Sequence, residues 1–221
     1  MNAARKSKTR PPLSHDRIIS AAVALADEEG METLSMRRLG QSLGVEAMSL
    51  YNHVAGKEAL VDGMVDRVFT EISVPSEGAP WLAEMRRYAF SKREALERHP
   101  WATGLLESRT SPGPENMRHH EALVGCLLNA GLTATEAVRV YVAIGSYVYG
   151  FAVLHVNAPW ENAAEQQEAM EAVVQSMPVN DYPNSTEVVL ELMRTGYEHA
   201  DEFEWGLDVL LDGLRAAFPD Q

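Results

Sequence analysis

Cysteine is nearly missing: the 221 residues contain one, Cys126. A lone thiol closes no internal disulfide and leaves no all-cysteine zinc site. No convincing run alternates apolar and polar residues, so strands are not expected. No repeat of fixed period is visible. A glycine-rich phosphate loop, a G-x-S-x-G elbow and an H-E-x-x-H pair are all missing, which removes the common signatures of phosphoryl transfer and hydrolysis. No apolar stretch follows the basic first ten residues, so no signal peptide is expected. Mean hydropathy of −0.20 is too low for a multi-span membrane protein. Hydrophobic residues at 46% and charged residues at 23% are too globular a mixture for extensive disorder.

Long uncharged runs are also scarce. One exists, at 140–156, near the lower limit for crossing a bilayer. It contains Gly145, Ser146, Gly150, three tyrosines (Tyr141, Tyr147, Tyr149) and His155, and no basic cluster flanks it. A buried helix of an α-bundle accounts for it better than a membrane span.

What is present is an uneven charge. The net charge is −13, yet residues 1–67 are balanced, and all the excess acid lies in 68–221. The first seventeen residues hold Arg5, Lys6, Lys8, Arg10 and Arg17 against Asp16 alone. An acidic protein is repelled by polyanions, but a basic arm on a neutral head can approach DNA while the acidic part stays away. The other reading of the arm is a solvated tail.

Helix signals run the length of the chain. Ser14 is a candidate N-cap for a helix carrying Ile18, Ala22 and Leu25 on one face and ending at Gly30. A second helix is predicted over 35–43 with Met36, Leu39 and Leu43 inward, then a glycine turn at Gly44, a third helix over 47–53, and a fourth over 57–72 with Leu60, Met64, Val68 and Ile72 on one face. The 74–80 segment is a linker. Further helices are predicted at 81–98, 101–107, 115–130, 133–156, 161–176, 186–199 and 202–217. The expected fold is all-α: an N-terminal helix-turn-helix head and a larger helical bundle that forms a dimer. The expected organisation is a basic arm over 1–13, a DNA-binding domain over 14–73, and an effector-binding and dimerisation domain over 74–221.

The most informative segment is 33–57, TLSMRRLGQSLGVEAMSLYNHVAGK. Two short helices joined by a tight glycine turn make a helix-turn-helix. Gly40, inside the first of them, costs about 1 kcal/mol relative to alanine. Close approach of the second helix would justify that cost. Val45 and Leu50 face inward on this pattern, leaving Ser49, Tyr51, Asn52 and His53 outward. Such side chains suit a helix in a major groove; the same pattern also permits an ordinary αα-hairpin.

This segment resembles the DNA-binding domain of the tetracycline-repressor (TetR) family of bacterial regulators. The resemblance covers about 14–65 and is strongest at Leu34, Ser35, Met36, Arg37, Arg38 and Leu39, at Leu43, Gly44 and Val45, at Ser49, Leu50, Tyr51, Asn52, His53 and Val54, and at Lys57, Glu58, Ala59 and Leu60. It implies that Tyr51 and His53 touch the DNA backbone, that Ser49 and Asn52 lie in the recognition helix, that Arg37 reaches a base or phosphate, and that Lys57 holds a phosphate. Lys57 also has a physical case, because helix N-termini favour anions. The expected DNA-contacting set is Ser35, Arg37, Arg38, Met48, Ser49, Tyr51, Asn52, His53 and Lys57.

The remainder resembles the tetracycline-repressor branch too, at 142–151 and 203–214. In that branch two helices pair with their copies in a second subunit. Phe203, Leu207, Leu210 and Leu214 form an apolar stripe, with Gly206 and Gly213 placed for close approach, and with Tyr149 they are the expected dimer interface. An intrachain core helix would give the same stripe. The resemblance places an effector pocket inside the C-terminal part, with Phe90, Leu105, Arg109, Met117, His120, Tyr141, Ile144, Tyr147 and Phe151 as candidates. Many of these would be core residues in any case.

The sequence departs from the tetracycline repressors where their drug-bound magnesium is held. That place falls near Leu105, which cannot ligate a metal, and the 108–114 loop is about two residues longer. His119 and His120 are adjacent and point apart on a helix. Glu115 with His119 offers two ligands and no third. No metal and no cofactor are expected, and Cys126 reads as core. The expected function is a cytoplasmic, ligand-responsive DNA-binding regulator: a homodimer on a palindromic operator, released by a mostly hydrophobic organic effector. It is not expected to be an enzyme or to engage a membrane. The alternative is a helical ligand-binding or adaptor protein without an operator of its own.

Overall fold

Four helices start where a side chain satisfies a free first-turn amide, at Ser14, Ser35, Thr133 and Asn162. In the computed structural model, which describes residues 12–76, 78–106, 108–109, 112–160 and 162–218, ten α-helices are found. They are α1 (His15–Glu29), α2 (Met36–Leu43), α3 (Ala47–Leu50), α4 (Lys57–Phe69), α5 (Trp81–Arg98), α6 (Pro114–Asn129), α7 (Ala134–Val156), α8 (Ala163–Ser176), α9 (Pro183–Thr195) and α10 (Glu202–Ala217), with 3-10 turns at Pro100–Ala102 and His199–Asp201. No strand occurs among the described residues. Ser14 Oγ accepts from Arg17 N (3.3 Å) and Ser35 Oγ from Arg38 N (3.2 Å). Thr133 and Glu136 form a reciprocal capping box at α7, a signal the helix periodicity alone did not use. Most of the basic arm expected at 1–13 lies outside the described residues.

The chain packs as two units, 1–73 with 98–121, and 74–97 with 122–221. One boundary falls at the start of the 74–80 linker; two more, at the end of α5 and inside α6, arise because 98–121 packs with the N-terminal helices.

In the first unit, α1 contributes Ile18, Ala22 and Leu25, α2 Leu39 and Leu43, α3 Leu50, and α4 Leu60 and Met64 to one apolar core. The α2–α3 corner depends on two glycines. Gly44 closes α2 in the left-handed region (φ 68°, ψ 38°). At Gly40 an added Cβ would sit 2.9 Å from Val45 O and 3.2 Å from Ala47 N. Regular helix in α3 stops at Leu50, shorter than the predicted 47–53. The amides of His53 and Val54 bond back to Leu50 O, so a turn carries the chain on and buries Val54.

α4 is held on a second face by 98–121. Arg109 Nε donates to Asp62 (2.5 Å), and Asp66 Oδ1 accepts from the amides of Glu115 (2.9 Å) and Asn116 (3.0 Å) in the first turn of α6. This carboxylate satisfies donors that the helix itself cannot. The buried His119 ring lies 5.7 Å from that of Phe69. Just past α4, burial would raise the Glu71 carboxyl, but hydrogen bonds from Arg98 and His99 outweigh it and hold it below its usual range. His99 also meets Asp27 of α1 at 2.8 Å, and Trp101 Nε1 donates to the same oxygen. Over 101–106 the predicted 101–107 helix is replaced by a 3-10 turn and successive tight turns, with Pro100 at the start and Gly104 within; residue 107 lies outside the described residues.

In the second unit, Phe203 of α10 is fully buried at the centre of a ring cluster. Phe90 of α5 (5.3 Å), Tyr147 (5.4 Å) and Phe151 (5.1 Å) of α7 surround it, and the Arg93 guanidinium lies over it at 4.8 Å. α7 is long and apolar enough to cross a membrane by length and composition. Its Ala137, Val140, Ile144, Val148, Phe151 and Ala152 are instead buried within the chain. α9 runs over 183–195, earlier than the predicted 186–199: Pro183 begins it and Gly196 ends it.

Two histidines set a pH dependence. Burial pushes His119 below the usual imidazole range, helped by Arg118 and opposed by Glu115, the Phe69 backbone and Asp66. Burial does the same to His199, helped by His155 and opposed by Glu202. The unfolded chain takes up these protons near pH 6.5, and the fold resists them until a lower pH. Stability therefore falls as pH drops through about 6.5 towards the folded-state values. Urea midpoints at pH 7.5 and 5.5 should show this fall, and His119→Leu should reduce it; an unchanged fall would contradict the assignment.

The Gly40 contact gives a test by sign. Helix propensity alone makes Gly40→Ala stabilising by about 1 kcal/mol. The backbone contact makes it destabilising, by about 1–3 kcal/mol. At Gly125, inside α6, an added Cβ meets nothing within 4 Å, so Gly125→Ala should stabilise by up to about 1 kcal/mol. Thermal unfolding of the two variants should shift in opposite directions.

Candidate nucleic-acid interface and effector region

The corner between α2 and α3 presents one polar face. Arg37, Met48, Tyr51, Asn52, His53 and Lys57 are exposed, and Ser49 is half-buried. Leu50 points inward and is fully buried, which turns Met48 and Tyr51, two residues before it and one after, towards solvent. Lys57 is the first residue of α4, and Gly56 before it supplies no side-chain cap, so no side chain of its own cap residue occupies the first-turn amides. These groups offer cationic, hydroxyl, amide and imidazole contacts beside an apolar one, the mixture needed for phosphates and base edges.

Two expected members have internal work. Ser35 caps α2 through its hydroxyl. Arg38 forms a two-pronged pair with Glu29 of α1, Nε to Oε2 at 2.7 Å, which raises the already high guanidinium pKa. Both remain exposed. Arg37, beside them on α2, faces solvent.

The nine effector candidates divide between the units. Leu105, Arg109, Met117 and His120 belong to the first; Phe90, Tyr141, Ile144, Tyr147 and Phe151 belong to the second. Arg109, one of these candidates, is engaged by Asp62. Met117 and His120 are exposed, and Leu105 is half-buried. In the second unit Phe90, Tyr147 and Phe151 gather around Phe203, with Ile144 buried on the same helix and Tyr141 half-buried. The Tyr147 hydroxyl donates to Phe203 O at 2.9 Å, and burial, helped by Glu202, raises its pKa. It fastens α10 to α7. None of the nine lines the cavity of about 620 Å³ between 75–82 and α6, which is walled by Trp81, Leu82, Ala122, Gly125, Cys126 and Asn129. Sequence patterns missed that cavity because, Trp81, Leu82 and Asn129 apart, it is framed by small residues, which carry no motif. Cys126 beside it is half-buried, and burial raises its thiol.

The expected dimer stripe requires correction. Phe203 and Leu207 are fully buried inside their own chain, with Leu211 beside them. An added Cβ at Gly206 would collide with the Tyr147 hydroxyl, so that glycine serves an approach within the chain. Leu210, Leu214 and Tyr149 are half-buried. The exposed large apolar side chains of α10 are Trp205 (67%) and Val209 (55%), four apart, and those of α7 include Val138, Val142 and Leu154. α10 carries apolar residues on two faces, and its periodicity does not say which face its own chain takes. Among the described residues no three metal-ligating side chains cluster; Glu115 pairs with Arg118, and His119 is buried.

Residues 18–64 match the family described as bacterial regulatory proteins, tetR family, and residues 74–218 match the tetracyclin repressor-like C-terminal domain. The chain is 32% identical to the class E tetracycline repressor protein of Escherichia coli over 212 residues, 95% of this chain and 94% of that one. It is 36% identical to an HTH-type transcriptional regulator of Saccharopolyspora erythraea over 147 residues, 66% of this chain and 62% of that relative, less than two thirds of its length. The crystal structure of Streptomyces coelicolor ActR in complex with actinorhodin superposes with a TM-score of 0.75 at 28% identity, covering 93% of this chain and 97% of that one. With a helix-turn-helix head and a matching C-terminal domain over more than half its length, the chain belongs to the TetR family of bacterial transcriptional regulators.

Proposed function

We propose that this protein is a repressor that binds a palindromic operator as a homodimer and is released by a small, mostly hydrophobic organic effector without a metal. The observation that carries the reading is the solvent-facing set Arg37, Met48, Tyr51, Asn52, His53 and Lys57 on a helix-turn-helix. On this reading 14–73 binds DNA and 74–221 receives the effector and forms the dimer, in the cytoplasm and without enzymatic activity. Relatives support it: one is a tetracycline repressor, and ActR is seen bound to actinorhodin.

The regulatory step follows from linkage. An effector weakens operator binding only by its difference in affinity between two arrangements of the protein. α4 is the element that carries the difference in this reading, because Asp62, Asp66 and Phe69 join it to 98–121 while Leu60 and Met64 join it to the DNA-binding core.

The interface between subunits is assigned to the exposed faces of α7 and α10, with Val138, Val142, Trp205 and Val209 at its centre and the half-buried Tyr149, Leu210 and Leu214 at its margin.

Tyr51→Ala and His53→Ala should each weaken binding to a duplex selected from a random pool while leaving the dimer intact. Lys57→Ala should weaken binding to all sequences alike and lower the salt slope by about one. Unchanged affinity in the first two variants by gel shift would remove the recognition-helix assignment. Val142→Glu should give monomers or aggregates, since an unpaired carboxylate in an interface costs several kcal/mol, about 3–5 for a fully buried one. A wild-type monomer at micromolar concentration in light scattering would contradict the interface.

A further inference from the structure

The head hides its large apolar side chains with two exceptions. Among the described residues of 12–73, the exposed large hydrophobics are Met48 (75%) and Tyr51 (49%). They stand three apart, on one face of α3 and the turn that continues it. Tyr51 carries a hydroxyl that suits a phosphate or water. Met48 carries none, and of all the exposed large hydrophobics in the described chain it is the most exposed.

Its chemistry narrows what it can meet. A thioether donates no hydrogen bond and accepts only weakly, so Met48 gains little from a phosphate or from the polar edge of a base. It does gain from contact with apolar surface, and its unbranched chain adapts to irregular gaps. The major groove offers one apolar group of that kind, the C5-methyl of thymine. Met48 is the second residue of α3, and the N-terminal residues of a recognition helix are those that reach base edges.

We propose that Met48 is a specificity-determining residue that reads a thymine methyl group in each operator half-site. The inference rests on the DNA-binding function proposed above and adds what that function leaves open: one letter of the operator and the group that selects it. Gly40 supports the placement, since the missing Cβ lets α3 lie against α2 with Leu50 inward and Met48 outward.

The experiment uses the full chain and a duplex enriched from a random pool. Each thymine is replaced singly by deoxyuridine, which removes the methyl and leaves every hydrogen-bonding group in place. At one position in each half-site the replacement should weaken binding roughly three- to fivefold, the worth of one methyl group taken from water. Met48→Ala should bind the thymine and uracil duplexes alike, and Met48→Leu should keep the distinction. Met48 is exposed, so these variants should fold as the wild type does, which unfolding midpoints check. Uracil tolerated at every position, or a thymine preference that survives in Met48→Ala, overturns the proposal while leaving operator binding intact. A pool in which no sequence is enriched overturns the operator-binding reading and this proposal together.

Discussion

The DNA-binding corner exists because residue 40 has no side chain. α3 lies across α2 with Val45 O and Ala47 N where a Cβ at position 40 would point. That contact sets the depth at which Leu50 enters the core, and so the direction in which Met48, Tyr51 and Asn52 leave it. The constraint is local, uses two glycines at positions 40 and 44, and outweighs the cost of a glycine inside a helix.

A second constraint lies on α4. One face of this helix is apolar and belongs to the core of the head. Another carries Asp62 and Asp66, and both are satisfied by groups from 98–121, a guanidinium in one case and helix-terminal amides in the other. Asp27 and Glu71 meet the same segment through His99. Several charge-assisted bonds therefore tie the head to chain that lies beyond the linker in sequence. This is why packing divides the chain not only where the 74–80 linker begins but again at 97/98 and 121/122.

Local features were legible in the sequence and distant ones were not. The cap at Ser14, the turn at Gly44 and the close approach at Gly40 each depend on neighbours within a few residues, and each was visible; Ser35 was read as the first residue of its helix and is its cap. The resemblance extended that reading to the whole head. The role of Arg109 was not visible, because its partner Asp62 is 47 residues away. Nor was that of Tyr147, whose hydroxyl meets α10 56 residues later. The bounds of α10 were legible and its inward face was not, for another reason. Phe203, Leu207 and Leu211 form one face, Trp205 and Val209 another, and a helical period describes both equally well. Only the positions of α5 and α7 decide which of the two faces inward.

The central claim is that two copies of one helix-turn-helix grip a single stretch of duplex. Hydroxyl-radical footprinting of the full chain on its selected duplex tests this directly. Two protected patches related by a two-fold axis, with centres about one helical turn apart or a whole multiple of it, are what the account requires. A single protected patch, or protection that moves freely along the duplex, would contradict it.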